Sequence, residues 1–226
     1  MNYHDTEWGR PIVDDLQLFE KVCLEGFQSG LSWITILRKR EKFRELFCHF
    51  NPDEVAQFGK REVEALVLDP GIIRHRGKIE ATIHNAQRYL EMRGAGETLR
   101  DVVWQYAEPP ADPDMPHSGE VFAQTPRSLA LSKDLKKRGW KFVGPTTMYA
   151  FMQSMGLVND HATKCYVRAE CERQRATVHL PPTTRGGAVW QLVGLITRRS
   201  QVQILPPPPS KKRVGPWAGS FRLLCC

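Results

Sequence analysis

The eleven residues from Cys23 to Trp33, CLEGFQSGLSW, hold the side chains best suited to chemistry. Leu18, Val22 and position 25 recur at i, i+4, i+7 within residues 14–29, a helical period. Glu25 therefore falls on the stripe that faces the core, where a carboxylate is costly unless a partner or hydrogen bonds satisfy it. Gly26 and Gly30 remove side chains and let another group approach the backbone. Ser32 offers an N-cap, and Trp33 opens the next helix. A buried acid, bare backbone and an indole predict a pocket for a flat, hydrogen-bonding ligand. A buried Glu bonded to a neighbouring helix end fits these residues equally well.

A second constellation spans Asp69 to Lys78, DPGIIRHRGK. Pro70-Gly71 is a turn signal. A helix over about 62–68 precedes it and a long one to about Arg93 follows, so residues 61–93 are expected to form a helix-hairpin-helix. Backbone N–H groups at Gly71 and Ile72 and the positive end of the following helix would make an anion site. Arg74, Arg76 and Lys78 add charge beside it. Such a hairpin grips a DNA phosphate without reading sequence; the alternative is a plain helical hairpin with a solvated basic end. A third constellation is NDHATKC, where His161 and Cys165 at i, i+4 would share one helical face, as a metal pair requires. His4 is a third candidate ligand, and spacing alone does not complete a site.

The elements that position these groups read as all-α. Residues 1–11 read as extended, followed by helices over 14–29 and from Trp33 to about Phe47. The latter has Trp33, Ile36, Leu37, Phe43 and Phe47 inside and Arg38, Lys39, Arg40, Lys42 and Arg44 outside. Asn51-Pro52 and Thr125-Pro126 are N-cap and N1 pairs. Gly59 is expected to end the short helix begun at Pro52. Thr98 caps a helix to about Tyr106, and residues 107–124 read as a surface loop. Pro145 opens a core helix over 146–155 that stops at Gly156. No alternating strand pattern and no internal repeat are evident.

Composition narrows the class. Of 226 residues, 41% are hydrophobic and 25% charged, ordinary for a globular chain. No apolar run reaches membrane-spanning length and no secretory signal is seen, so a cytoplasmic location is expected. The six cysteines show no disulfide framework. The net charge of +7 arises in residues 177–226, which carry seven basic residues and no acid. Basic and acidic residues cancel in the rest, so a nucleic-acid partner must be argued from local clusters. A domain over 1–176 and a tail over 177–226 are expected. The tail, with its Pro206–Pro209 run, reads as disordered, non-native or out-of-frame sequence.

Taken together, YHDTEWG (3–9), CLEGFQSGLSWITILRKRE (23–41), GIIRHRGKI (71–79), LKKRGWKFVGPTTMYAFMQSMGLVNDH (135–161) and the HxxxC pair resemble the 3-methyladenine DNA glycosylase I family. The resemblance runs from Tyr3 to about Cys165. It implies hydrolysis of the N-glycosidic bond of 3-methyladenine in duplex DNA by a bacterial enzyme. A monomer is expected, and a monofunctional one, because Lys78 suits a phosphate contact better than a lyase nucleophile. Glu25 matches the pocket acid that hydrogen-bonds the damaged base. Tyr3 and Trp33 match the aromatics that sandwich it, and Trp8 matches another aromatic of that region. Residues 69–78 match the helix-hairpin-helix. His4, His161 and Cys165 match three of four ligands of a structural zinc. The fourth, a cysteine, lies in a segment that precedes Tyr3 in the family and is missing here; Cys171 is the nearest substitute. The family lacks the catalytic Asp of other helix-hairpin-helix glycosylases, and none is assigned. Two rivals stand beside this: a DNA-binding module without activity, favoured by the short N-terminus, and a zinc-stabilised interaction domain without a DNA role.

Overall fold

The computed structural model describes residues 2–109 and 122–178. Among the described residues the fold is all-α. It comprises α1 (Asn2–Thr6), α2 (Asp15–Gln28), α3 (Trp33–Leu37), α4 (Arg40–Leu46), α5 (Pro52–Val55), α6 (Lys60–Leu68), α7 (Arg76–Gly94), α8 (Leu99–Trp104), α9 (Pro126–Lys137), α10 (Pro145–Ser154) and α11 (Arg168–Ala176), with a 3-10 turn at Cys48–Phe50. No helix among them is long and apolar enough to cross a membrane.

The molecule is built around α2. Asp14 caps it, its carboxylate accepting from the Gln17 N–H at 2.9 Å. It ends where Gly30, at φ +82°, takes a left-handed turn. Leu18, Val22 and Glu25 are buried, as the spacing predicts. α2 packs against α3, α7, α8 and α10. Asp15 fixes the approach of α8, because its carboxylate accepts from the Leu99 and Arg100 N–H groups at 3.0 and 2.8 Å. Phe27 joins α2 to α4 through a cluster with Phe43, Phe47 and Phe50, ring centroids 4.6 Å apart for Phe27–Phe43 and 5.5 Å for Phe47–Phe50. Such pairs add roughly 0.5–1.5 kcal/mol beyond area burial.

Several sequence expectations are corrected here. The N-terminus is not extended: Asn2–Thr6 is helical, and the Tyr3 carbonyl accepts from both Glu7 and Trp8 N–H groups. The single helix expected over 33–47 is broken at Arg38–Lys39, where Lys39 N–H bonds Ile36 at i−3 and tightens the turn. Gly59 is the N-cap of α6 and receives Glu62 on its N–H at 2.7 Å. Helix α11 was not anticipated, because its sequence shows no apolar stripe beyond Cys171. Residues 110–121 of the expected loop, and the expected tail from 179 onward, lie outside the described residues.

The N-terminal strip is locked onto the end of α10. Gly9 N–H donates to the Ser154 carbonyl and Ile12 N–H to that of Met155, both at 3.2 Å. Gly156 permits this approach: at φ +70°, a Cβ there would lie 2.6–2.7 Å from backbone atoms of Arg10 and Pro11. Gly156→Ala should therefore cost at least about 2 kcal/mol, from left-handed strain plus a backbone clash. The expected result is a Tm lower by several degrees in a thermal melt; an unchanged Tm would refute the close approach.

Candidate active site

Tyr3, Lys21 and Trp33 form a cage on the side of α2 that carries Glu25. Glu25 and Lys21 are one helical turn apart, 3% and 5% exposed, with Lys21 Nζ 3.1 Å from Glu25 Oε1. Burial pushes the Glu25 carboxyl up and the Lys21 ammonium down, and each partner's charge opposes the other's shift. Lys21 Nζ also donates to the Tyr3 hydroxyl at 2.9 Å. It lies 3.3 Å from the Trp33 ring centroid and 5.3 Å from that of Tyr3. Both distances are within cation–π range. Burial, then the Glu25 charge, hold the Tyr3 phenol far above its usual range, so it stays neutral. The Trp33 indole N–H is buried and has no hydrogen-bond partner among the described residues.

This cage opens into a cavity of about 280 Å³, lined among others by Glu7, Glu20, Leu24 and Met155. That volume sits at the lower edge of small-molecule pockets, roughly 300–1,000 Å³. Both lining carboxylates are engaged. Arg40 clamps Glu7 with two N–H donors, at 2.5 and 3.1 Å, and holds its carboxyl below the usual range. Arg44 Nε donates to Glu20 at 2.9 Å. The cage itself is closed, since the Tyr3 and Trp33 centroids are 5.5 Å apart and tilted by 40°. A stacked base needs about 3.5 Å on each face, roughly 7 Å in all.

The glycines serve other ends than a bare pocket wall. A Cβ on Gly26 would meet Phe142 Cβ at 3.3 Å, so this glycine admits the 139–143 loop rather than a ligand. Trp8 is also elsewhere: it lies edge-on to His161, centroids 4.6 Å apart, and stacks on His4. It is not among the residues lining the cavity.

Residues 69–75 join α6 to α7 in a tight turn. Ile72 is buried and anchors it, while Arg74 and Arg76 are exposed. The Ile72 and Arg74 N–H groups have no hydrogen-bond partner among the described residues, whereas Gly71 N–H donates to Asp69 Oδ1 at 2.7 Å. Arg76 bonds Glu64 at 2.8 Å on the surface. Lys78 departs from expectation. It is buried, and its Nζ donates to the carbonyls of Phe27 and Ser29 at 2.9 and 2.6 Å. Its stem turns inward to satisfy the open carbonyl end of α2, so it is not a surface cation beside the hairpin.

His4, His161 and Cys165 converge, with ligand atoms all within 4.8 Å of one another. His161 and Cys165 sit in a turn rather than on the helix that i, i+4 spacing suggested. His161 is fully buried; Asn159 Oδ1 holds its Nδ1 at 2.9 Å, and its Nε2 has no partner among the described residues. His4 Nδ1 is held by Asp5 at 2.9 Å, and Cys165 Sγ lies 3.5 Å from His4 Nε2. Burial lowers His161 to a pKa of about 4, so its ring is neutral near pH 7. Cys171, the expected substitute, is buried on α11 and is not part of this group.

Residues 1–169 match the methyladenine glycosylase family. The chain belongs to that family. It is 50% identical to DNA-3-methyladenine glycosylase of Haemophilus influenzae over 73% of this chain and 90% of that protein. It is 53% identical to DNA-3-methyladenine glycosylase 1 of Escherichia coli K12, over 72% and 88% of the two chains. A crystal structure of a 3-methyladenine DNA glycosylase I superposes with a TM-score of 0.70 at 50% identity, covering 73% of this chain and 91% of that one. The Staphylococcus aureus enzyme, solved to explain 3-methyladenine recognition, superposes at 0.69 with 38% identity over 74% and 89%.

For this methyladenine glycosylase family member, sequence reasoning reached the acid and two cage aromatics but missed the cation among them. Lys21 was legible: it lies four residues before the buried Glu25, the spacing of a helical ion pair. The sequence places Arg40 on an outer basic face, whereas it clamps Glu7 at the cavity wall.

Proposed function

We propose that this chain is a monofunctional DNA glycosylase that hydrolyses the N-glycosidic bond of 3-methyladenine in alkylated duplex DNA. The observation that carries this is the cage itself, two aromatic rings and a buried carboxylate that already hold a cation. Methylation at N3 gives the base a positive charge, and each aromatic face stabilises such a charge by roughly 0.5–2 kcal/mol. A base inside the stack must first be flipped out, with unstacking costing on the order of a few kcal/mol. Glu25 then accepts the base's N–H groups. Glu7 and Glu20 are tied to arginines, so neither is a free base for water. The reaction relies on the good leaving group that methylation creates. Lys21 is an ion-paired ammonium rather than a free amine nucleophile, which agrees with hydrolysis without a lyase step.

Duplex DNA would meet the α6–α7 turn. The Ile72 and Arg74 N–H groups, the backbone at Gly71, and the Arg74 and Arg76 side chains would contact phosphate. Lys78 takes no part. We read this unit as a helix-hairpin-helix and the enzyme as a monomer. Salt-dependent duplex binding together with base release tests this function. Binding with every glycosidic bond intact would leave a DNA-binding module without activity.

The His4, His161 and Cys165 group supplies three of the four ligands of a structural zinc. The orphaned His161 Nε2 is the decisive feature, because a buried polar atom without a partner is costly. Asn159 and Asp5 orient the two imidazoles from behind, as outer partners of metal ligands do. When bound, zinc would tie the N-terminal segment to residues 161–165 and supply no chemistry to the base. Purified protein should carry about one zinc per chain, and a strong chelator should lower Tm by several degrees. His161→Ala should abolish both effects. A chain that binds no zinc when supplied with it would refute the site.

A further inference from the structure

The glycosylase reading leaves one feature unexplained. The space between Tyr3, Trp33 and Glu25, where a cationic base would sit, is taken by a side chain of the protein's own. Lys21 Nζ makes the contacts a methylated base would make: a hydrogen-bonded pairing with Glu25 Oε1 at 3.1 Å and a face contact with Trp33 at 3.3 Å. A third contact, to the Tyr3 hydroxyl at 2.9 Å, completes the set. The two rings close around it at 5.5 Å, too near for a stacked base. The stem has a way out, because Lys21 lines the same cavity as Glu7 and Glu20, and a flexible four-carbon chain can carry its ammonium toward those carboxylates.

We propose that Lys21 is a displaceable internal occupant of the base pocket. It satisfies Glu25 and the two rings in the empty protein and must be expelled toward Glu7 and Glu20 before a base can enter. This rests on the glycosylase reading and adds a competitor to it. Expulsion removes the same contacts whichever base arrives, so Lys21 weakens capture of all bases by a common factor. Weak ligands then fail to bind, while a cationic base restores the lost contacts with Glu25 and the rings. The occupant also keeps a buried carboxylate paired while no base is bound, a state that would otherwise be costly.

The test uses the full chain, two probes that cannot be hydrolysed, and methylated duplex DNA. The probes are 3,9-dimethyladeninium, which is permanently cationic, and neutral 9-methyladenine. Lys21→Ala should bind both at least tenfold more tightly than wild type in titration calorimetry, by similar factors. In excision assays its KM should fall, with little change in the single-turnover rate at saturating DNA. Lys21→Arg, which keeps a cation in the cage, should not tighten binding. Should Lys21→Ala fail to fold, Lys21→Gln keeps the length without the charge and should behave in the same direction. A folded, uncharged variant that binds both probes no better than wild type overturns the proposal, provided wild type releases 3-methyladenine. A wild type that releases none overturns the glycosylase reading, and this proposal with it.

Discussion

Glu25→Gln should lower excision of 3-methyladenine from methylated duplex DNA by about 10- to 100-fold in single-turnover assays. In the proposed mechanism the buried carboxylate accepts from the base's N–H groups, and hydrogen bonds to charged groups contribute about 1.5–3 kcal/mol. The amide keeps the shape and one acceptor oxygen but loses the charge that balances a cationic base. It also leaves Lys21 without its ion-pair partner, which adds a stability cost of a few kcal/mol at most. The two effects separate cleanly. Double replacement at Glu25 and Lys21 should recover Tm without recovering excision. A Glu25→Gln enzyme that excises at the wild-type rate while folded would remove Glu25 from the recognition of the base.

Trp33→Ala should weaken binding of the cationic probe 3,9-dimethyladeninium by about 10- to 100-fold. Stacking on an aromatic side chain is worth roughly 1–3 kcal/mol per base, and the indole face also carries the cation–π attraction. Trp33 is only half-buried and opens the short helix α3, so its loss disturbs the fold less than a core Phe would. Trp33→Phe should keep much of the affinity, because a smaller ring still offers a face. The indole N–H has no partner among the described residues, so the difference in affinity between wild type and Trp33→Phe at equal Tm reports the N–H and the lost ring area together. Equal affinity in wild type and Trp33→Ala would remove Trp33 from the base site.

Periodicity made much of this architecture legible. It placed Glu25 on the inner face of a helix, and capping residues placed the starts of α5, α8, α9 and α10 close to where they are. The sequence resemblance, and not the spacing, brings Tyr3 to its partners, whereas His4 already stands as a candidate third ligand from its residue type. What escaped depended on contacts between remote segments. Lys78 looked like a surface cation because its neighbours are basic, yet its stem turns inward to the carbonyl end of α2. A close approach to Gly26 is legible, but the approaching group is a loop more than a hundred residues away in sequence. Trp8 lies close to Tyr3 in sequence, but its ring packs against His4 and His161 and does not line the cavity. His161 and Cys165 share a helical spacing without sharing a helix.

The most direct measurement is chromatographic identification of the bases that the full chain frees from duplex DNA treated with a methylating agent. Release of 3-methyladenine, with abasic sites left in equal number and loss of release in Glu25→Gln, is the expected result. A folded chain that binds the duplex and frees no methylated base would contradict the account.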